Sequence, residues 1–353
     1  MKIIHMADCH LDSSLSTHLD KDRTKERKIE LLSTFEGVFD YAKNNDVKII
    51  LIAGDLFDSN KVASKTKNNI FNIIKKYEDI EVIYLPGNHD EESFMKELTS
   101  ECPSLKVFDE EWKSLRFDNV VITGIINNLK TQKYLYNTLS LNKDELNIVT
   151  MHGQVGEYGD EDIKISRLVN KNIDYLALGH IHTYSKEKLD ERGIYSYSGC
   201  LEGRGFDEDG PKGFVLIDTN DNKIETTFIP FAKRTLHKIH VDITSCFSWL
   251  DVQKDIDSKT KNIASNDMVE VILEGKYLEN FIKQVELLDQ SLNRKYYFAK
   301  VKDLTSLEVN VEDYENEISL KGEFIRLVSD LDDETDKNEI IELGLKALKG
   351  EEL

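Results

Sequence analysis

The sequence predicts a layered α/β protein followed by a smaller α+β unit. Three observations carry this prediction. In the first half, short β-branched apolar runs, each ending in polar residues or glycine, alternate with amphipathic stretches. After about Ile194 strand follows strand, and from about Leu236 the alternation restarts. A single core usually stops growing near ~250 to 300 residues, so a chain of 353 residues is read as more than one domain.

The runs at Lys2 to Ala7, Lys48 to Ala53, Val82 to Leu85, Val120 to Ile122, Asn147 to Met151, Tyr175 to Leu178, Tyr195 to Tyr197 and Gly213 to Ile217 have the length and branching of buried strands. Between them, Lys28 to Asn44 and Ser64 to Tyr77 repeat apolar residues at helical spacing, which marks helices laid on a sheet. Turn signals at Asp209 to Pro211 and Thr219 to Asn222 make the sheet mixed. Further on come a strand at His237 to Ile243, a polar helical stretch, a strand at Met268 to Leu273, a helix around Leu278 to Leu292 and a strand at Tyr296 to Lys302. From Glu312 to Leu353 the chain is acidic and helical, and two short helices with a joint at Asp330 to Asp336 fit it best. The expected division is a catalytic domain over 1–235, a cap over 236–310 and a helical tail over 311–353.

A formal charge of -20 argues against bulk electrostatic coating of nucleic acid, which needs clustered Lys and Arg. Acidity equally serves solubility. Cys9, Cys102, Cys200 and Cys246 are scattered, as reduced thiols in a cytoplasmic protein would be. No stretch approaches the ~20 apolar residues that span a bilayer, and the first residues lack a signal peptide's apolar run. No membrane association is therefore expected.

The chemistry gathers where strands end. Asp8-Cys9-His10, Gly54-Asp55-Leu56-Phe57-Asp58, Gly87-Asn88-His89-Asp90, His152-Gly153 and Gly179-His180-Ile181-His182 each follow a predicted strand, the place where open α/β sheets build their sites. A binuclear divalent site needs a bridging carboxylate, several imidazoles and oxygen donors. Asp8, His10, Asp55, Asn88, His152, His180 and His182 supply that inventory. One such piece alone can be turn chemistry. Of nine histidines, however, five fall inside these motifs, and only His5, His18, His237 and His240 fall outside. His89, between Asn88 and Asp90, suits leaving-group protonation or charge stabilisation with Asp90 as its orienter, or a structural role beside the metals.

Together these motifs resemble, in full, the DxH, GDxxD, GNHD, H and GHxH signature of the calcineurin-like metallophosphoesterases. The resemblance implies a four-layer αββα sandwich and two divalent metal ions, usually manganese. By the same resemblance Asp8, His10, Asp55 and His182 would hold one ion, and Asp55, Asn88, His152 and His180 the other, with Asp55 bridging. The Arg-Gly that follows the second motif in protein Ser/Thr phosphatases is missing, and GNHD stands where they carry GNHE, which argues against a protein phosphatase.

The stretches ADCHLDS, IAGDLFD and Tyr197 to Arg204, with the C-terminal LKGEFIRLV and IIELGLKALKGEEL, look like the SbcD-type DNA-repair nuclease branch, its YhaO-like members in particular. Cys9 and Cys200 depart from the residues expected there, but neither is a ligand. This branch implies a manganese-dependent DNA exonuclease and endonuclease working with an SbcC-like or YhaN-like coiled-coil ABC-type ATPase, and homodimers are common in it. Arg204, in a glycine-flanked loop, can reach a phosphodiester or pair with Glu202 or Asp207. The tail can hold the ATPase or pack on its own cap. Two other functions remain open at this point: a phosphodiesterase acting on a small substrate such as a cyclic nucleotide, and a noncatalytic scaffold for DNA ends or the ATPase.

Overall fold

Every predicted strand of the first half forms, and the amphipathic stretches cover them as helices. The computed structural model describes all residues except 16–18, 60, 88–98, 315–316, 332–336 and 351–353. It divides into two units, Met1–Thr235 and Leu236–Leu353.

In chain order the strands of the first unit are β1 (Lys2–Met6), β2 (Val47–Ala53), β3 (Glu81–Leu85), β4 (Leu105–Val107), β5 (Lys113–Phe117), β6 (Val120–Gly124), β7 (Leu146–His152), β8 (Tyr175–Gly179), β9 (Ser185–Lys188), β10 (Ile194–Tyr197), β11 (Gly213–Asp218) and β12 (Glu225–Pro230). They build two six-stranded sheets, ordered β12-β11-β1-β2-β3-β4 and β5-β6-β7-β8-β10-β9. The run β1 to β4 in one and β6, β7, β8 and β10 in the other is parallel; antiparallel strands close three of the four edges, and β4 is a parallel edge.

Side chains alternate across each strand, so each sheet has two buried faces. Ile3, Ile49, Leu51 and Ile83 of the first sheet meet Val120, Ile122, Ile148 and Tyr175 of the second in one core. On the first sheet's far face, helices α1 (Lys21–Asn44) and α2 (Ser64–Lys76) bring Leu31, Phe35, Phe39, Ile70 and Ile74 against Ile4, Ile50 and Val82. The far face of the second sheet is covered differently. Leu135 and Tyr136 of a one-turn helix, with Ile163, Leu168 and Ile173, pack there on Val149, Met151, Leu176 and Leu178. The αββα layering thus stands, with its fourth layer made mostly of turns.

Helix α1 begins seven residues before the predicted start at Lys28. Asp20 caps it, accepting from the N–H groups of Asp22 (3.0 Å) and Arg23 (2.9 Å). Such caps start a helix without any apolar residue, and its first two turns are too polar to show a period.

In the second unit β13 (Leu236–Asp242), β14 (Met268–Glu274) and β16 (Phe298–Asp303) form a parallel three-stranded sheet. Helices α3 (Trp249–Thr260) and α4 (Val285–Lys295) cover one face through Trp249, Val252, Ile256, Leu288 and Leu292. The helix expected from Leu278 starts only at Val285. Residues Lys276–Leu278 instead form β15, pairing in parallel with β17 (Ser306–Glu308). Helices α5 (Leu320–Ser329) and α6 (Lys337–Lys349) bury Ile325, Val328, Ile341 and Leu345 with Leu307 of β17. Glu342 fastens them by accepting from Tyr277 Oη (3.1 Å) and the Leu307 N–H (3.3 Å). Among the described residues no helix is long and apolar enough to cross a membrane.

Candidate metal centre

Four strand ends converge between the sheets. β1 runs into Asp8 and His10, β2 into Gly54 and Asp55, β7 ends on His152, and β8 runs through Gly179 into His180 and His182. Within the first sheet the two loops are laced by Asp8 N–H to Gly54 O (3.1 Å) and His10 N–H to Asp55 O (3.1 Å). Across the sheets, the His180 N–H donates to both Asp8 oxygens at 2.9 Å, and His152 Nδ1 lies 2.9 Å from Ala53 O.

This convergence requires unusual backbone. Asp8 (φ 50°), His10 (φ 43°), Asp55 (φ 49°) and His180 (φ 104°) all have positive φ, a conformation that costs roughly 1 to 3 kcal/mol for such residues and gathers at functional sites. Gly179 permits the sheets to touch. A Cβ there would lie 2.0 Å from Ala53 O and 2.8 Å from Ala7 Cβ. Gly87, two residues past β3, gives room within the first sheet, where a Cβ would lie 2.2 Å from Asp55 Oδ1.

The side chains form two groups, Asp8 with His10 and His182, and Asp55 with His152 and His180, the ligand atoms of each lying within 4.8 Å of one another. Nε2 of His10 and Nε2 of His182 face each other at 3.1 Å. Asp55 Oδ2 is 3.3 Å from His152 Nε2 and 3.9 Å from His10 Nε2, so this carboxylate reaches both groups. Asp8, His10, Asp55 and His152 are each at most 3 % exposed.

These groups fit divalent ions on their own chemistry. The Ala53 carbonyl can only accept, so Nδ1 of His152 carries the proton and Nε2 offers a lone pair. That buried Nε2 has no hydrogen-bond partner, yet it faces a carboxylate oxygen. Lone pair and carboxylate repel unless a cation lies between them. In the metal-free chain a proton takes that place. Burial lowers the affinity of His152 for a proton, but Asp55, Asp8 and the Ala53 carbonyl outweigh it and push the pKa up to about 9. Burial likewise pushes the Asp8 carboxyl up, against the opposing charges of His152 and His182.

Behind His10 and His182 stands a second ring of charge. His182 Nδ1 donates to Glu208 Oε1 (2.6 Å), and Asp58 Oδ1 lies 3.4 Å from His10 Nδ1. Arg204 joins the two carboxylates, through Nη1 to Asp58 Oδ1 (2.5 Å) and through Nη2 (2.7 Å) and Nε (3.1 Å) to Glu208 Oε1. Burial would raise the Glu208 carboxyl, but His182 and Arg204 hold it far below the usual range. The loop carrying Arg204 is itself anchored by buried Arg27, which donates to Glu202 Oε2 (3.1 Å) and Gly203 O (2.9 Å).

Six of the seven expected ligands therefore come together in the structure. The seventh, Asn88, lies outside the described residues, as do His89 and Asp90. Arg204 sits beside the ligands, with its guanidinium on Asp58 and Glu208 and not on Glu202 or Asp207. Sequence reasoning missed Glu208 and gave Asp58 no role, although Asp58 closes the GDLFD motif and Glu208 follows Arg204 at a four-residue spacing. The Ala53 carbonyl leaves no trace in sequence.

The calcineurin-like phosphoesterase profile matches residues 1–184, a span that includes both ligand groups. The chain belongs to the calcineurin-like phosphoesterase family. It is a metal-dependent phosphoesterase, and the two divalent ions of this family correspond to the two groups of ligands. Among curated proteins it is similar to the DNA double-strand break repair protein Mre11 of Sulfolobus acidocaldarius, 24% identical with all of both chains covered. The Mre11 of Saccharolobus solfataricus is 25% identical over 88% of this chain and 84% of that one. The uncharacterized metallophosphoesterase YhaO of Bacillus subtilis is 23% identical over 88% of this chain and 83% of that one.

Proposed function

We propose that this phosphoesterase is a manganese-dependent DNA exonuclease and endonuclease subunit in DNA repair, acting in the cytoplasm with an SbcC-like or YhaN-like ATPase. The observation that carries the chemistry is Asp55, whose Oδ2 stands 3.3 Å and 3.9 Å from one imidazole of each group. One ion would be held by Asp8, His10, Asp55 and His182, and the other by Asp55, Asn88, His152 and His180. When bound, a pair of divalent ions supplies Lewis acidity at the phosphoryl group and activates water for in-line attack.

The chain's own residues supply position and a dry setting. The His180 N–H fixes both oxygens of Asp8, the Ala53 carbonyl fixes the tautomer of His152, and Glu208 fixes that of His182. His89 is assigned to protonating the leaving oxygen or stabilising charge on the phosphate, with Asp90 orienting it.

DNA as substrate is supported by the similarity to Mre11 proteins over nearly whole chains. The ATPase partner is supported by the tail. Helices α5 and α6 bury one apolar face and leave Leu320, Leu327, Leu343 and Leu348 exposed on the other, the pattern of helices with a further surface to cover. Homodimerisation belongs to the same reading.

The net charge of -20 favours a second reading, a phosphodiesterase for small substrates. Manganese-supplemented assays on end-labelled duplex DNA, single-stranded DNA and a chromogenic phosphodiester separate the two. Cleavage of DNA that Asp55→Ala and His89→Ala abolish is the expected result. Turnover of the chromogenic ester alone, with and without the ATPase, would move the protein to the second reading.

A further inference from the structure

The two ligand groups are backed differently, and that difference has a functional consequence. In the group of Asp55, His152 and His180, the imidazole of His152 leans on a neutral backbone carbonyl, Ala53 O at 2.9 Å. In the group of Asp8, His10 and His182, both imidazoles turn Nδ1 towards a carboxylate, Asp58 at 3.4 Å from His10 and Glu208 at 2.6 Å from His182. Those two carboxylates are tied by one guanidinium, since Arg204 reaches Asp58 and Glu208 at 2.5 Å and 2.7 Å. The backbone N–H of Arg204 also donates to the other oxygen of Glu208, Oε2 (2.7 Å).

We infer that Asp58, Arg204 and Glu208 form a positioning strap that holds one of the two metal ions, the ion of Asp8, His10 and His182, without touching it. The inference rests on the two-metal reading above and adds to it an inequality between the ions. Glu208, accepting from Nδ1 of His182, leaves that imidazole's lone pair on Nε2 and makes it a better donor, and the Asp58 carboxylate 3.4 Å from Nδ1 of His10 favours the same tautomer there by its charge. The strap thereby aims the Nε2 atoms of His10 and His182 at a common point, where they stand 3.1 Å apart. The planar fork of Arg204 matters because a single rigid group sets both carboxylates at once. Its charge also offsets two carboxylates packed beside a centre that already contains Asp8 and Asp55. Glu208 has the burial of a built part, with its side chain 6% exposed, and Asp58 and Arg204 are shielded at 30% and 21%. In this role Arg204 is occupied by the protein and acts through His10 and His182.

The test counts ions and does not depend on turnover. Manganese binding by the whole chain is followed by the loss of the free-ion paramagnetic resonance signal, in wild type, Arg204→Ala, Glu208→Ala and Glu208→Gln. Wild type is expected to bind two ions. Arg204→Ala and Glu208→Ala should keep one at unchanged affinity and bind the other about 10 to 100-fold more weakly, while Glu208→Gln, which keeps an acceptor for Nδ1, recovers part of the loss. In a His182→Ala background, Glu208→Ala should cost nothing further, because it acts through that imidazole.

Two unchanged ions in Arg204→Ala and Glu208→Ala would overturn the inference. Equal weakening of both ions would also overturn it, since it would make the strap a general prop of the fold. A wild-type chain that binds fewer than two ions would instead sink the two-metal reading itself.

Discussion

Acid should loosen this fold through one buried histidine that belongs to no ligand group. His5 lies on β1 and is fully buried, with Nδ1 2.8 Å from Tyr175 Oη. Burial drives its pKa down to about 3, and a backbone contact at Leu178 opposes this only in part. Unfolded, the same imidazole titrates near ~6.5. The folded pKa is depressed, so the unfolded chain binds the extra proton. Stability is then complete above the unfolded value and is lost as pH falls from about 6.5 towards the folded value.

Between pH 7.5 and 5 this single group removes about 2 kcal/mol, at about 1.4 kcal/mol for each pH unit below the unfolded value. For a unit of this size that is a fall in Tm of roughly 4 to 8 °C. Other carboxylates and imidazoles titrate in the same range, so the quantity to compare is the difference between wild type and His5→Gln. Circular dichroism melts at both pH values, in the same metal-free buffer, should show wild type losing about 2 kcal/mol more than the variant. Equal losses in the two proteins would refute the reasoning.

Gly179→Ala places a methyl group 2.0 Å from Ala53 O, so the sheets must part. A loss of about 1 to 3 kcal/mol in urea unfolding is expected, together with weaker manganese uptake. Arg27→Met leaves Glu202 buried without its partner beside Thr34 and should cost about 3 to 5 kcal/mol in the same assay. Chelation should abolish phosphodiester hydrolysis, and added manganese should restore it. Asp55→Asn should lower activity at saturating manganese by ~100-fold or more, because a neutral amide cannot serve both ions.

The sequence made the buried strands of both sheets and their site legible because strand ends coincide with chemistry. Asp8, Asp55, His152 and His180 each follow a run of β-branched residues, and the turn chemistry beside them, Gly54 and Gly179, is equally visible. Polar edge strands left no such mark. β9 is largely exposed and has no apolar residue, and β5 offers only Leu115 and Phe117, so both strands depend on a neighbour's hydrogen bonds. The same holds for β15, whose apolar residues read as the start of a helix until β17 pairs with it. What supports the ligands was least legible of all. Glu208 is 26 residues from His182, and Asp58 is 146 from Arg204. Only the folding of two sheets against each other brings such residues together, and an orienting carbonyl such as Ala53 has no side-chain signature.

The most direct test of the central claim is an anomalous difference map from manganese-loaded crystals. Two peaks about 3.5 to 4 Å apart should flank the Asp55 carboxylate, one against Asp8, His10 and His182 and the other against His152 and His180. A single peak, or a pair that leaves Asp55 unshared, would contradict the account.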